Sequence, residues 1–571
     1  MNNWPQQLRN ELAHIGALTV AELDAVTQSP REPGESVVRA CVKTGMVPEE
    51  KLLKGLATSL HLSFTRLGEG EIDPDVCARV PTKAVFQHNV MPMRMENGCL
   101  LVATNDPFDL PMIESLRMAT KSRIRLTLSP QADIQKALKR YYGVGAETLD
   151  ELIQKNVVDL DMTDAAVAKQ DVASDDQEAS VVKFVNQIIA EAYKERSTDI
   201  HLEPMENDLR IRYRVDGALH QVPVPAQLKR FQAAIISRIK VMANMDIAER
   251  RLPQDGRINV RSSGAEIDVR VSTIPTPYGE SVSLRLLMRN SIFLGLDKLG
   301  LSDSDAKIVR KLVELPHGII LVTGPTGSGK STSLYAFLST INSIDQRIIT
   351  IEEPIEYELP GVNQMQVRAD IGLTFASGLR HILRQDPDVI MVGEIRDLET
   401  AEIAIRAALT GHLVFSTLHT NDAAGAVTRL LDMGIEPFLV SSSVEAIIAQ
   451  RLVRTLCPSC KQAYTPEPEL LKEVGYPTLN DGTTFYKARG CEECRFTGFR
   501  GRMGIYEILV MHESLRPLVI ERAASSAIKH AACGGGMKTL RDDGWAKVRA
   551  GLTTIEEVAR VTHEDEALVA S

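Results

Sequence analysis

The run Gly324-Pro325-Thr326-Gly327-Ser328-Gly329-Lys330-Ser331-Thr332 carries the most specific chemistry in this chain. Glycine, four residues, then Gly-Lys-Ser is the pattern of a phosphate-binding loop. Its glycines let backbone N–H groups turn inward onto phosphate oxygens. Lys330 is spaced to reach the β- and γ-phosphates of a nucleotide, and the Ser331 hydroxyl to ligate Mg²⁺. The apolar run Ile319–Thr323 predicts a strand before the loop. The run Leu334–Leu338 predicts a helix after it, with its positive end at the phosphates. A mere glycine turn needs neither flank.

Three further clusters follow on predicted strand ends, where an open α/β sheet binds its ligands. Glu352, Glu353 and Glu356 succeed the run Ile348–Ile351 and suit the positioning of water or Mg²⁺. A solvated acidic loop has the same composition. The strand Val389–Val392 ends in Gly393-Glu394, the acid-tipped strand that completes a phosphate-loop NTPase site and holds Mg²⁺. His412 and His419 bracket the strand Leu413–Thr417 and read as a pair that senses the γ-phosphate.

Four of the eight cysteines form two C-x-x-C pairs, Cys457/Cys460 and Cys491/Cys494, with 30 residues between them. Two such pairs complete a tetrahedral structural Zn²⁺ site. The spacer is long for a zinc ribbon, but loop-closure entropy grows slowly with length. Disulfides are disfavoured in a cytosolic chain, and redox motifs lack their usual surroundings here.

The bulk numbers set the frame. A chain of 571 residues is too long for one core. Its 65 basic and 75 acidic residues give a net charge of −10, which argues against a general nucleic-acid surface. No apolar run approaches the roughly 20 residues that span a bilayer, and Met1–Gly16 has no signal-peptide core. The expected location is cytoplasmic, with any membrane attachment made through a partner.

Along the chain, residues 1–142 read as an N-terminal α/β region, with helices near Glu49–Leu60 and Asp133–Tyr141 and a strand at Cys99–Ala103. Residues 143–180 are acidic, contain no aromatic residue and read as a linker with one short helix near Leu149–Lys155. Residues 181–292 form a second unit, opened by a helix over Val181–Tyr193 and continued by strands Leu209–Val215, Glu266–Ser272 and Ser281–Leu287. Residues 293–571 hold the nucleotide core, the cysteine module 457–494 and a helical tail. The stretch Asn290–Ser302 reads as a hinge.

These segments carry a resemblance. LRQDPDVIMVGEIRDLETA (Leu383–Ala401) and TGHLVFSTLHTN (Thr410–Asn421) resemble signature stretches of the secretion ATPase family that powers type II secretion and type IV pilus assembly. DIHLEP (Asp199–Pro204), RIRYRVDG (Arg210–Gly217), QDGRI (Gln254–Ile258) and TGFRGRMGIYEIL (Thr497–Leu509) extend it over about Ser180–Thr562. The fold it implies is α/β. A RecA-like phosphate-loop ATPase core follows a smaller, PAS-like α/β domain and an N-terminal α/β domain, and carries a zinc-binding insert and a helical tail.

The resemblance further implies ATP, Mg²⁺ and Zn²⁺ as cofactors, a homo-hexamer, and an inner-membrane platform protein as partner. It makes Glu394 the Walker B carboxylate. It places Glu352, Glu353 and Glu356 in the family's "Asp box", where Glu353 replaces the usual Asp, and His412 and His419 in its "His box". Either Glu356 or Glu394 then orients the attacking water. Arg212 and Arg214, on one face of a strand, are implied as phosphate contacts from the preceding domain. For Phe64–Tyr142 it implies docking to a membrane-anchored partner. Some relatives bind cyclic di-GMP there through segments that start Arg-Leu-Gly; here Arg66-Leu67-Gly68 is followed by Glu-Gly-Glu-Ile-Asp-Pro. Rival readings are a pilus retraction motor, which generally lacks the zinc module and long N-terminal unit, and a nucleic-acid translocase, which predicts a basic channel.

Overall fold

A computed structural model describes residues 38, 48–68, 71–143, 145–146, 148, 175–262, 265–288, 295–476 and 483–562. The expected helix near Leu149–Lys155 and the start of the expected hinge at Asn290 lie outside these residues. The chain divides into two compact units, Met1–Leu287 and Met288–Ser571.

The first unit holds two sheets. Strands β1 (Ser63–Phe64), β2 (Met91–Glu96), β3 (Cys99–Thr104) and β4 (Arg123–Leu128) run in the order β1-β4-β3-β2. Helices Glu49–Ser59 and Gln131–Tyr142 frame this sheet close to their expected positions. The second sheet contains β5 (Ser197–Pro204), β6 (Leu209–Val215), β7 (Ala218–Val222), β8 (Gln254–Ser262), β9 (Ala265–Thr276) and β10 (Gly279–Met288), in the order β7-β6-β5-β10-β9-β8. One face packs on two helices, Asp175–Lys194 and Gln232–Met242, through Phe184, Ile188, Ile235, Ile200, Ile211 and Tyr213. The other face is polar, the pattern of an antiparallel sheet covered on one side only. The first of these helices, Asp175–Lys194, reaches six residues before the expected Val181 and into the expected linker.

The second unit is built on seven strands: β11 (Gly318–Thr323), β12 (Ile348–Glu352), β13 (Asn363–Gln366), β14 (Val389–Val392), β15 (Leu413–Leu418), β16 (Val444–Leu456) and, after the cysteine module, β19 (Phe499–Val510). Their order is β13-β12-β14-β15-β11-β16-β19. The first six are parallel, and β19 pairs antiparallel with β16. The centre of the sheet is covered on both faces, so β11, β12, β14 and β15 are near-continuous apolar runs. In β11, Ile319 and Leu321 enter one core while Ile320 and Val322 enter the other. Parallel pairing brings the carboxyl ends of β11, β12, β14 and β15 to one rim.

Between β16 and β19 the chain forms the cysteine module with a small hairpin, β17 (Gln462–Tyr464) and β18 (Phe485–Lys487). Helices Ser525–Gly534, Leu540–Arg549 and Ile555–Val561 close the described chain. Trp545, 2% exposed, stacks edge-on against Tyr476 and fixes the tail to the module.

Candidate nucleotide site and metal centre

The glycine-rich run leaves the carboxyl end of β11 and enters the helix Lys330–Ile341. Gly324, Gly327 and Gly329 have φ of 149°, 79° and 92°, which L side chains rarely adopt. At Gly324 a Cβ would also lie 2.5 Å from the Gln450 carbonyl and 2.6 Å from Ser328 Oγ. The loop is therefore folded tightly against β16. Lys330 Nζ donates to the carbonyls of Gly324 at 2.8 Å and Pro325 at 3.2 Å, which places the ammonium inside the loop's curve. Burial lowers its pKa, and Glu394 opposes that shift. Ser328 Oγ is buried without a hydrogen-bond partner, an orphan that a phosphate oxygen would satisfy. Ser331 and Thr332 are exposed at the start of the helix. The donor set fits a nucleotide with its Mg²⁺.

Glu394 follows β14 at the same rim. Gly393 N–H donates to Ile351 O at 2.8 Å, Ile395 N–H to Thr417 O at 3.1 Å, and Thr417 Oγ1 to Gly393 O at 2.7 Å. These bonds hold Glu394 between the ends of β12 and β15. Its carboxylate meets Arg396 at 2.5 Å and His419 Nε2 at 3.1 Å. Glu353 is exposed and lies 3.6 Å from Arg396. Thr323 and Thr420 share a hydroxyl–hydroxyl bond of 2.7 Å, which ties the end of β15 to the start of the loop.

Two expected members do not join this group. His412 precedes β15, and its backbone carbonyl accepts from Gly318 at the amino end of β11. Its Nδ1 donates to Ala407 O at 2.9 Å, capping the preceding helix. Since β15 pairs in parallel with β11 from Gly318/Leu413 to Thr323/Leu418, His412 sits a full strand length, roughly 20 Å, from the rim that carries the loop. The two histidines stand at opposite ends of one strand, and only His419 lies at the rim that carries the loop. Glu352 is the other exception. It is 4% exposed, and its carboxylate accepts from Thr350 Oγ1 at 2.6 Å, Gln364 Nε2 at 3.0 Å and the Tyr335 hydroxyl. Burial raises its pKa above the ordinary carboxylate range. It is enclosed by protein donors and does not present itself to water or Mg²⁺. Glu356 is partly exposed, and its N–H donates to the Tyr335 hydroxyl at 3.2 Å.

Sequence reasoning missed Arg451 and Gln450 on β16. Arg451 is 8% exposed, donates to Asn421 O at 2.8 Å and stands beside Gly324. Gln450 Oε1 accepts from Ser333 Oγ at 2.8 Å. The polar pair Gln450-Arg451, which follows the apolar run Ala446–Ala449, was the available signal.

In the first unit, Arg210, Arg212 and Arg214 alternate with buried Leu209, Ile211 and Tyr213 on β6, as expected. All three are ion-paired: Arg210 and Arg212 with Glu203, and Arg214 with Asp199 at 3.6 Å. Arg285 of β10 also reaches Asp199, at 3.1 Å. Glu203 and Asp199 were legible only as motif letters, since their pairing depends on the β5–β6 register.

The four clustered cysteines converge, with all Sγ atoms within 4.8 Å of one another. Cys457–Cys491, Cys460–Cys494 and Cys491–Cys494 separations are 3.8, 3.6 and 3.7 Å. Four thiolates at Zn–S distances of about 2.3 Å stand about 3.8 Å apart in a tetrahedron, whereas a disulfide requires about 2.05 Å. The spacing fits a tetrahedral metal. N–H groups of Cys491 and Gly498 each donate to Cys494 Sγ at 3.1 Å. Against the opposing effect of burial, they help bring its pKa down to about 7.

Comparison with known proteins agrees with this geometry. Residues 174–560 match the family model described as "Type II/IV secretion system protein", and residues 60–148 match the MshEN domain. The chain is 42% identical over 558 residues to the "Type IV pilus assembly ATPase PilB" of Myxococcus xanthus (strain DK1622), covering 97% of this chain and 98% of that protein. It is 43% identical over 548 residues to the "Type II secretion system protein E" of Xanthomonas campestris pv. campestris, covering 95% of this chain and 96% of that one. The crystal structure of the Legionella pneumophila ATPase DotB superposes with a TM-score of 0.50 at 22% identity, over 66% of this chain and 95% of that one, a likeness of fold. The chain belongs to the type II/IV secretion system protein family.

Proposed function

We propose that this chain is a Mg²⁺-dependent motor ATPase that works as a homo-hexamer in the cytoplasm. It would drive an inner-membrane platform protein in type IV pilus assembly or type II secretion. The observation that carries the ATPase reading is the loop itself: three left-handed glycines, Lys330 held inside the curve, and an orphaned Ser328 hydroxyl. The relatives' names support the two machines equally.

In this reading, Gly324–Gly329 cradle the phosphates with backbone N–H groups, while Lys330 neutralises charge on the β/γ oxygens. Ser331 and Glu394 hold Mg²⁺, which neutralises phosphate charge when bound. Glu356 orients the attacking water, Glu353 supports the acidic rim, and His419 faces the γ-phosphate beside Glu394. Arg212 and Arg214 would exchange their carboxylate partners for phosphate when the domain over residues 181–292 closes on nucleotide. Cys457, Cys460, Cys491 and Cys494 hold a structural Zn²⁺. The domains we assign are residues 1–142 for docking, 143–180 as linker, 181–292 as the arginine-bearing unit and 293–571 as the ATPase.

Cyclic di-GMP is a second reading for the N-terminal unit, favoured by the MshEN match over residues 60–148. Arg66 is engaged by Glu50 at 2.5 Å and Asp133 at 3.2 Å, so the dinucleotide must displace these partners; calorimetric titration decides it.

Lys330→Ala tests the main reading. The variant should keep its fold by circular dichroism and lose ATP hydrolysis. Turnover near the wild-type rate in a folded variant refutes the assignment.

A further inference from the structure

Five residues after Lys330, on the helix that leaves the phosphate loop, stands Tyr335, 4% exposed. Its hydroxyl donates to the buried Glu352 carboxylate and accepts the Glu356 N–H at 3.2 Å. Gln364 Nε2 donates to the same carboxylate at 3.0 Å and to Tyr357 O at 2.9 Å. Gln364 Oε1 accepts the Leu359 N–H at 2.7 Å. Residues 356–359 lie outside any strand or helix, and both ends of this stretch are bonded to this buried cluster. The Tyr335 and Tyr357 rings also meet edge-on, 6.1 Å apart. A tyrosine that merely fills a core needs one partner for its hydroxyl. This one bridges the loop helix to the turn that carries Glu356.

We infer that Tyr335 is a positioning residue for ATP hydrolysis, setting Glu356 relative to the phosphate loop through its hydroxyl, with Glu352 and Gln364 as the anchor. The inference rests on the reading above in which Glu356 orients water. The donor and acceptor roles are complementary. Glu352 has no proton to give when ionised, so it fixes the direction of the Tyr335 O–H, which leaves the oxygen lone pairs for the Glu356 N–H. Chemistry at a γ-phosphate is sensitive to such placement, since a shift of about 1 Å costs roughly a hundredfold in rate.

The test uses the full-length chain. Tyr335→Phe deletes one oxygen and keeps the ring. ATP affinity, by titration with a fluorescent ATP analogue, should stay within about twofold. Turnover should fall about tenfold or more. Gln364→Ala removes the other anchor and should give the same split, which covers the case in which Tyr335→Phe fails to fold. In a Glu356→Gln background, adding Tyr335→Phe should change the single-turnover rate less than about twofold, because both act through one group. Unchanged turnover in the folded single variants, affinity falling in step with turnover, or losses that multiply in the double variant would each overturn the inference. Failure of the reading on which it rests looks different, because Glu356→Gln alone would then turn ATP over at the wild-type rate.

Discussion

Glu394→Gln separates chemistry from stability at the rim of the sheet. The change keeps shape and removes one charge. The carboxylate's side chain is 12% exposed, but its main partner, Arg396, is 64% exposed and His419 is 49% exposed. Water can therefore solvate both partners when the charge goes. Ion pairs of this kind contribute about 0–1 kcal/mol. In a unit of this size that is a melting shift of about 2–4 °C at most. The backbone bonds of Gly393 and Ile395 do not involve the side chain and remain. Loss of a charge that holds Mg²⁺ or orients water is a different order of effect, about 10²–10⁴ in rate. The assay is a steady-state phosphate-release measurement on the full-length protein, alongside nucleotide affinity and thermal melting. The expected result is near-normal affinity, a small melting shift and turnover down at least about a hundredfold. If binding is lost while the rate per bound ATP stays normal, Glu394 has another task and the argument fails.

Gently purified protein should hold one zinc per chain. Replacing both Cys457 and Cys460 with Ser should release it and expose residues 457–502 to protease, since structural Zn²⁺ supplies on the order of 10 kcal/mol of folding free energy; absence of stoichiometric metal in elemental analysis refutes the centre. Arg212→Ala and Arg214→Ala should depress turnover more than ATP affinity in normally assembled oligomers, and wild-type rates in both would rule out their phosphate role. Glu557 yields a pH prediction. Burial would raise its pKa, but hydrogen bonds from Arg560 and Arg454 outweigh burial and bring it down to about 2 from an ordinary 4.5. A depressed carboxylate stabilises above its unfolded pKa, so the contribution, about 3 kcal/mol, is full above pH 4.5 and fades as pH falls toward 2. The stability gap between wild type and Glu557→Gln should narrow over that window; a gap that does not change with pH contradicts the pairing.

Much of the second unit was legible because its signals are local. The strands at Ile319, Ile348, Val389 and Leu413 are continuous apolar runs bounded by turn residues, and all appear within a residue of their expected limits. The loop glycines announce their backbone angles because only glycine adopts them cheaply. The cysteine spacing required two pairs to meet, and the four thiols do so.

What local signals left open was long-range. His412 and His419 looked equivalent as two histidines flanking a strand. Parallel pairing with β11 puts one at each end, and attention to strand direction would have separated them from sequence alone. Glu352 looked like its neighbours Glu353 and Glu356. Its burial depends on Tyr335, 17 residues away, and on Gln364, 12 away. Arg451 reaches Asn421 across 30 residues. Residue types and short spacings determined that this chain carries a phosphate-binding loop and two cysteine pairs with metal-ligand spacing, because backbone angles and ligand chemistry are local properties. The tertiary structure decided which acids and histidines stand at the site, because strand order, direction and burial arise only when distant segments pack.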